Sequence, residues 1–482
     1  MPDPKDHPEE DKRFSAPIPT GWAQRGARLA GQTGRSAFRF LGTRARSFTS
    51  PERASEFLDS FHATTARQIV DMLGEMKGAA MKLGQLASFY EFAGPGGYMS
   101  TYQDALTMLQ NAAPPMDPEA SKQVIREEFG RPVEEVFAEF EDEAVAAASI
   151  GQVHRARLHS GEIVAVKVQY PGVDEAVRAD LKNVSALTKL SVAIAPNIDP
   201  KEVAQEVKDR VLEELDYRRE AANQAYFAEL FGGHPSIVVP RVFEEFCARR
   251  VITQEFVEGR SFLDAFGFPS EDRHRIAECV FRFFYGSLNR FLIFSADPHP
   301  GNYLLLEDGR IAFLDFGLVR AVDPGQLQQL QEIAQALISD DRERGRVALE
   351  AFGILNRRTP EIDAVWNHLR LLNTPILEDR PFTVDRPLVQ DIASAGMDPR
   401  SAAFNTLRKV GVPGIIITLN RMGFGVASLL ARLEATHNWQ AIMREMWFGE
   451  PSQTELGKAE QVWLEERHHE VAEAARQSKA GE

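Results

Sequence analysis

Cysteine is scarce in this chain, with only Cys247 and Cys279 among 482 residues. Two cysteines exclude a disulfide framework and a four-cysteine zinc site, and they favour a reducing compartment. Basic residues are in the minority too, because 70 acidic residues outnumber 55 lysines and arginines and leave a formal net charge of −15. This charge argues against general nucleic-acid binding, so we expect no nucleic-acid partner.

Long apolar runs are also missing. A membrane-spanning helix needs about 18 apolar residues, and the best candidate, residues 414–419, is followed at once by Asn420 and Arg421. The first dozen residues are acidic and contain proline, unlike a secretory signal. We therefore expect a cytoplasmic protein without a transmembrane segment.

Residues 13–51 are the exception to the acidic composition, with seven arginines and no acidic residue. At helical spacing, four of these arginines cluster on one side, while Trp22, Leu29 and Phe40 fall on another. The pattern suits peripheral binding to an anionic membrane surface, and the alternative is a flexible basic tail.

The hydrophobic patterns change along the chain. Four strand-like runs come first, at 150–158, 162–169, 236–242 and 251–257, with one helical pattern among them at 201–230. The residues after these runs are mainly helical in pattern. This order predicts an α+β fold with a bilobal, kinase-like arrangement, strand-rich first and helical second. The predicted parts are a basic segment at 1–50, a helical extension at 51–118, a strand-rich lobe at 119–257, a helical lobe at 258–447 and a charged, helix-prone tail at 448–482.

The strongest chemical signal is residues 294–317, FSADPHPGNYLLLEDGRIAFLDFG. Phosphoryl transfer needs a carboxylate that orients the attacking hydroxyl and ligands that hold magnesium on the phosphates. A kinase supplies these as Asp, Asn five positions later, and then Asp-Phe-Gly. Asp297, Asn302 and Asp315 fit that pattern, with a hairpin signal between the last two. We predict that Asp297 is catalytic and that Asn302 and Asp315 bind Mg²⁺; the alternative is a turn cap and a strand end.

Lys167 ends the kinase-like strand V-A-V-K and is the predicted ligand of the nucleotide phosphates. Such a lysine needs a carboxylate on a nearby helix. Asp216 and Glu220 share one helical face, while Glu214 points about 120° away from Glu220. Glu220 is therefore the predicted partner of Lys167, and a solvated charged face is the alternative.

The loop before Lys167 departs from the kinase pattern G-x-G-x-x-G-x-V, because alanines replace its first two glycines. Alanine stiffens a loop and disfavours positive φ, so we expect altered nucleotide binding and less transfer to a protein acceptor. The loop residues predicted to bind nucleotide are Ala146, Ala147, Ala148, Ser149, Gly151 and Gln152.

Backbone groups of Glu255 and Val257, at the end of a strand, are the predicted adenine contacts. Ser295 and Ala296 replace the usual His-Arg before the catalytic Asp, and no A-P-E motif follows at activation-loop distance. We therefore expect no switch by phosphorylation of an activation loop.

Together these motifs resemble the UbiB family of atypical kinases, also called AarF-domain or coenzyme Q kinase-like proteins. The family's K-x-G-Q element is present with Lys82, Gly84 and Gln85, and its E-x-D element with Glu214 and Asp216. The resemblance implies a kinase-like fold that binds ATP or ADP with Mg²⁺. It also implies a role in ubiquinone or other isoprenoid-lipid metabolism, with an isoprenoid-quinone lipid or precursor and quinone-biosynthesis proteins as partners.

In relatives the K-x-G-Q element folds over the mouth of the active site. We expect a Lys82–Glu214 ion pair, with Gln85 and Asp216 nearby, to clamp the extension there; the alternative is an ordinary surface lysine. Two other functions stay open. One is a nucleotide-gated, lipid-binding scaffold without obligatory catalysis. The other is an ordinary protein kinase, against which the missing His-Arg and A-P-E motifs count.

Overall fold

The computed structural model describes residues 116–148, 150–175, 215–355, 362–397, 410 and 413–480. The chain divides into two compact units. The smaller unit includes the described residues within 116–123, 142–153 and 169–175, and the larger unit includes all other described residues.

The first part of the described chain is rich in strands. Its elements are α1 (Pro118–Phe129), α2 (Val133–Val136), β1 (Glu139–Ala148), β2 (Gly151–Arg157), β3 (Ile163–Gln169), α3 (Tyr217–Leu230), β4 (Ile237–Val238) and β5 (Val251–Glu255). Four strands form a sheet in the order β1-β2-β3-β5. Strands β3 and β5 are antiparallel, with Lys167 opposite Ile252.

Alternation along β3 directs Lys167 away from the core. Val164, Val166 and Val168 have no exposed surface and belong to one apolar cluster with residues of α1 and α2. Successive side chains of a strand point to opposite faces of the sheet. Lys167 therefore lies on the face opposite to these valines.

The second part is mainly helical, with short strands. The strands are β6 (Arg260–Ser261), β7 (Ile293–Ser295), β8 (Tyr303–Leu305), β9 (Ile311–Phe313), β10 (Val319–Ala321), β11 (Phe382–Thr383) and β12 (Thr436–His437). The helices are α4 (Ser270–Phe281), α5 (Ser287–Phe291), α6 (Pro324–Ile338), α7 (Arg342–Ala351), α8 (Ile362–Leu372), α9 (Arg386–Met397), α10 (Gly414–Arg432), α11 (Trp439–Phe448) and α12 (Glu455–Ala480). Strands followed by helices confirm the predicted α+β class.

Pairings among the short strands position the predicted catalytic residues. Strands β4, β9, β8 and β6 form one sheet in that order, and β7 pairs with β10 in another. Beneath them lies an aromatic core, in which Phe283 stacks on Phe313 with 3.7 Å between ring centroids. Phe316 has no exposed surface and lies 4.9 Å from Phe227 of α3, centroid to centroid.

Helix α3 is shorter than the pattern at 201–230 predicts. It begins at Tyr217, and Asp216 is its N-cap, whose side chain accepts a hydrogen bond from Arg218 N–H. An Asp at this position satisfies one of the N–H groups that lack a partner in the first turn. The expectation that Asp216 and Glu220 lie on one face of the same helix is therefore wrong, because α3 begins after Asp216.

Two further expectations need correction. Ala146, Ala147 and Ala148 are not loop residues, because they form the end of strand β1. Alanine is compatible with the extended backbone there.

The part expected as a charged tail contains α12, whose Glu460 and Trp463 are 1% and 7% exposed. Buried side chains such as these belong to the packed core.

Candidate active site

Two strand pairings bring the predicted catalytic residues together within the larger unit. Strand β7 pairs with β10, and Ala296 N–H donates to the Leu318 carbonyl at 2.8 Å just beyond that pairing. Asp297 follows Ala296, and Gly317 precedes Leu318. The pairing thus places Asp297 beside the Asp-Phe-Gly segment.

A hairpin places Asn302 beside the same segment. Strands β8 and β9 are antiparallel, with Tyr303 opposite Phe313. Leu314 N–H donates to the Asn302 carbonyl at 2.9 Å, one residue before Asp315. The turn contains Gly309 at φ 85°, a conformation that favours glycine. The predicted hairpin is confirmed, and it explains why Asn302 and Asp315 are neighbours despite their separation in sequence.

Lys167 lies between two carboxylates. Its Nζ is 2.7 Å from Glu220 Oε1 and 3.6 Å from Asp315 Oδ2. Burial alone would lower the pKa of Lys167, but the charges of Glu220 and Asp315 outweigh it and hold the pKa well above the usual value. Lys167 is therefore a fixed cation beside Asp315, and Glu220 is its contact on α3. The roles of the three residues toward nucleotide stay predictions.

Asp315 is fixed by its own backbone turn. Its Oδ1 accepts a hydrogen bond from Gly317 N–H at 3.0 Å. Asn223 of α3 donates through Nδ2 to the Phe316 carbonyl at 3.0 Å. Because α3 also carries Glu220, one helix orients both Lys167 and the Asp-Phe-Gly segment.

The expected adenine contacts lie at the end of β5. Phe256 N–H donates to the Ile163 carbonyl at 3.2 Å, and Glu255 N–H donates to the Arg241 carbonyl at 2.8 Å. Val257 is half-buried, and its N–H makes no hydrogen bond within the described residues. The backbone contacts of Glu255 and Val257 with adenine stay predictions.

Gln152 does not present its side chain for a ligand. It is 1% exposed, its Oε1 accepts from Met116 N–H at 2.9 Å, and its Nε2 donates to Ser121 Oγ at 3.1 Å. Both ends of its amide bind protein groups, so the side chain of Gln152 has a structural role, and nucleotide binding by this residue stays a prediction. Gly151, at the start of β2, is also buried.

Most residues of the expected Lys82–Glu214 clamp lie outside the part of the chain that the structure describes. Lys82, Gly84, Gln85 and Glu214, together with Ser149 of the loop, lie outside the described residues. Asp216 is described, and its Oδ2 is 2.8 Å from Arg218 Nη2. Hydrogen bonding from the Arg218 side chain lowers the pKa of Asp216. The described role of Asp216 is therefore to cap α3.

The sequence analysis missed Arg421, which it treated only as an interruption of an apolar run. Arg421 Nη2 is 3.2 Å from Asp297 Oδ1. A Cβ atom added to Gly425, one turn later, would lie 2.2 Å from Cγ of Pro298. Helix α10 thus touches the predicted catalytic loop directly. A charged residue inside an apolar helix indicates a buried partner, and that signal could have found Arg421.

The donor set suits a magnesium ion carried by a nucleotide. Asp315 and Asn302 offer hard oxygen ligands, and the Asn302 side chain makes no hydrogen bond with other described residues. Among the residues that the structure describes, no group of three or more His, Cys, Asp or Glu could hold a metal. Mg²⁺ usually uses one or two carboxylates plus substrate phosphates, so the residues present fit this ion.

Helix α10 is also long and apolar enough to cross a membrane by length and composition alone. Within the described part of the chain it is the single helix that passes this test, which core helices of soluble proteins pass as well. Met422, Val426, Leu429 and Leu430 of α10 are buried in the protein. The helix therefore gives only weak support for a membrane span.

The chain is similar to known proteins in sequence. The family model of the ABC1 atypical kinase-like domain matches residues 108–348, half of the chain. A chloroplastic aarF domain-containing protein kinase of Arabidopsis thaliana is 34% identical over 60% of this chain and 41% of its own length. The mitochondrial atypical kinase COQ8B of Rattus norvegicus is 32% identical over 61% of this chain and 54% of its own length. The matched region thus spans less than two thirds of the length of either relative.

A solved structure is similar over most of the chain. The Rv3197 protein of Mycobacterium tuberculosis, in complex with erythromycin, is 32% identical, with a TM-score of 0.61. The match covers 83% of this chain and 100% of that one. This similarity agrees with the predicted kinase-like α+β fold.

Proposed function

The chain belongs to the family of ABC1 atypical kinase-like proteins, and from this premise we propose that it is a Mg²⁺-dependent kinase or ATPase of the UbiB type that binds ATP or ADP. The observation that carries the proposal is the position of Lys167 between Glu220 and Asp315. Phosphoryl transfer depends on positioning and electrostatic stabilisation, and these groups supply both.

Each residue has one task in the proposed reaction. Lys167, oriented by Glu220, binds the nucleotide phosphates. Asp315 and Asn302 hold Mg²⁺, which when bound neutralises charge on the transferring phosphoryl group. Asp297 accepts a hydrogen bond from the attacking hydroxyl or water and orients it toward that group.

The physiological context in the proposal comes from the family. A role in ubiquinone or other isoprenoid-lipid biosynthesis, at a membrane surface, is supported by the relation to COQ8B and the chloroplastic kinases. The isoprenoid-quinone lipid or precursor, the quinone-biosynthesis proteins and the anionic membrane are the corresponding proposed partners.

A second candidate is a nucleotide-gated scaffold that binds a lipid or another small molecule without obligatory catalysis. One observation favours it: the related Mycobacterium tuberculosis protein was solved with erythromycin. Asp297 argues for the enzyme, because a scaffold that binds Mg²⁺-nucleotide has no need of a carboxylate that orients an acceptor.

Turnover by the purified chain separates the two. We would measure phosphate release from Mg²⁺-ATP with and without anionic liposomes and a phenolic quinone precursor, and nucleotide affinity by titration. An enzyme releases phosphate, stops on chelation of Mg²⁺, and loses turnover in Asp297→Asn while keeping nucleotide affinity. Tight binding without turnover under every condition would favour the scaffold, and the absence of nucleotide binding would overturn both proposals.

A further inference from the structure

Helix α10 reaches the catalytic loop from a part of the chain far from the motifs. Arg421 and Asp297 are 124 residues apart in sequence, yet Arg421 Nη2 lies 3.2 Å from Asp297 Oδ1. The two side chains are 14% and 20% exposed. The contact between Gly425 and the ring of Pro298 holds the helix backbone against the loop. Only glycine allows this approach, since any Cβ would overlap the ring.

Arg421 contacts Oδ1 of the Asp297 carboxylate but not Oδ2. Asp297 Oδ1 faces Arg421, whereas Oδ2 makes no hydrogen bond or ion pair within the part of the chain that the structure describes. A carboxylate with one oxygen fixed by a cation keeps a defined orientation, and its second oxygen can accept from an attacking hydroxyl. The catalytic loop supplies no cation beside Asp297, because Ser295 and Ala296 precede it.

We propose that Arg421 is the positioning residue of the catalytic carboxylate: α10 delivers a guanidinium that fixes Asp297 Oδ1 and thereby directs Oδ2 toward the acceptor. The inference rests on the proposed function, since it assigns Asp297 the acceptor-orienting role. It makes catalysis depend on α10, an element that lies beyond the kinase motifs, with Arg421 acting in cis.

A purely structural ion pair explains the observations less well. Helix α10 is already held by its buried side chains and by the Gly425–Pro298 contact. Partly buried ion pairs contribute little net stability, because desolvation offsets their attraction. The pair is therefore not required to dock α10, whereas it does define the orientation of Asp297.

The test compares Arg421→Ala with Arg421→Lys and with a matched change on the same helix. Arg432 of α10 contacts the ring of Phe266 at 3.9 Å, so Arg432→Ala perturbs the helix without removing the cation beside Asp297. We expect kcat for ATP turnover to fall about 10- to 100-fold in Arg421→Ala, with KM for ATP within about threefold because no nucleotide contact is lost.

Rescue makes the test specific to positioning. Arg421→Lys keeps a cation and should retain part of kcat, and added guanidinium ion should raise kcat of Arg421→Ala but not of Asp297→Asn. Arg432→Ala should leave kcat unchanged. Unchanged kcat in Arg421→Ala would overturn the proposal, and so would a rise in kcat, because a rise would mean that the pair restrains Asp297.

A second measurement does not depend on turnover. Asp297→Asn, Arg421→Ala and the double variant form a double-mutant cycle, with the free energy of unfolding measured by urea denaturation. Coupled residues give a non-additive result, and additivity would overturn the inference. If the native protein turns over no ATP, the proposed function fails, whereas the cycle still decides whether Arg421 holds Asp297.

Discussion

At the residue scale, Lys167 owes its charge to its partners. Burial works against the ammonium form, and the attraction of Glu220 and Asp315 reverses that effect. The pKa of Lys167 in the folded protein is therefore raised, and the lysine stays charged until the pH passes well above 10.5. Phosphate binding by Lys167 should thus not vary between neutral and mildly alkaline pH.

Glu220→Gln should remove most of the electrostatic attraction that keeps Lys167 charged. The pKa of Lys167 then falls, because burial remains while one attractive charge is lost. We expect Mg²⁺-ADP affinity to drop at least about tenfold at pH 7, the scale of one hydrogen bond to a charged group, and to fall further as the pH is raised toward 10. Titration of affinity against pH measures both effects.

Glu434→Gln is the matched control, because the exposed Glu434 side chain pairs with Arg273 and forms no ion pair with Lys167 among the described residues. The Mg²⁺-ADP affinity of the Glu434→Gln variant should equal that of the native protein at every pH. A Glu220→Gln protein that binds Mg²⁺-ADP as well as the native one would show that Glu220 does not orient Lys167.

The motif residues were predictable because kinase chemistry imposes fixed spacings. Asp297, Asn302 and Asp315 follow one such spacing, and the hairpin between β8 and β9 accounts for it. Arg421 has no fixed spacing to Asp297, since its position depends on how α10 packs. The burial of the Gln152 amide could not be predicted either, because its partners Met116 and Ser121 lie 36 and 31 residues earlier in the sequence.

At the element scale, strands with a clear sequence signal were predicted and strands without one were not. Strand β3 is a continuous apolar run, and a turn signal lies between the three-residue strands β8 and β9. Strands β7 and β10 also contain three residues each, but no turn joins them directly, so no local signal marks them. Strand β1 was missed because most of its side chains are exposed and several are acidic, which is the usual signature of a loop.

Helix α12 shows how composition misleads about packing. Its Glu460 belongs to a buried charge cluster, defined as Arg282, Glu278, Glu445, Glu460 and His234. Arg282 lies within 2.7 Å of all three glutamates and has no exposed surface. A charged helix can therefore be part of the core when its charges find buried partners.

The cluster predicts acid sensitivity. Burial alone would raise the pKa of Glu460, but the His234 hydrogen bond and the nearby arginines outweigh it and lower the pKa from 4.5 to about 2. A lowered carboxyl pKa stabilises the fold above the ordinary pKa, and this contribution is lost as the pH falls from about 4.5 toward 2.

Glu460→Gln should reduce the free energy of unfolding by about 3 to 5 kcal/mol at pH 7, because Arg282 loses a buried partner. The difference from the native protein should shrink as the pH falls below about 4.5, because Glu460 of the unfolded chain takes up its proton there, while folded native Glu460 stays charged until the pH nears 2. Denaturant unfolding at pH 7, 5 and 3.5 measures this difference in the free energy of unfolding. Glu455→Gln, on the exposed side of the same helix, is the control and should match the native protein. A difference that does not change with pH would contradict this account.

At the scale of the whole molecule, the α+β class followed from the order of strands and helices. The sequence could not show how α10 and α12 pack, because their partners are distant in the chain. Membrane attachment has two candidate elements of different chemistry. One is the basic segment at 13–51, outside the described residues, and the other is α10, with Ile417 41% exposed.

Salt distinguishes the two modes of attachment. Each arginine near an anionic membrane contributes about 1 kcal/mol, and the attraction falls off within a Debye length. We expect the full chain to co-sediment with anionic liposomes at low salt and to be released as salt rises. Replacing all seven arginines of residues 13–51 with glutamine should abolish co-sedimentation, whereas replacing them with lysine keeps the charge and should preserve it. Binding that survives both the glutamine variant and high salt would place attachment in an apolar element, and its loss in Ile417→Asn would identify α10.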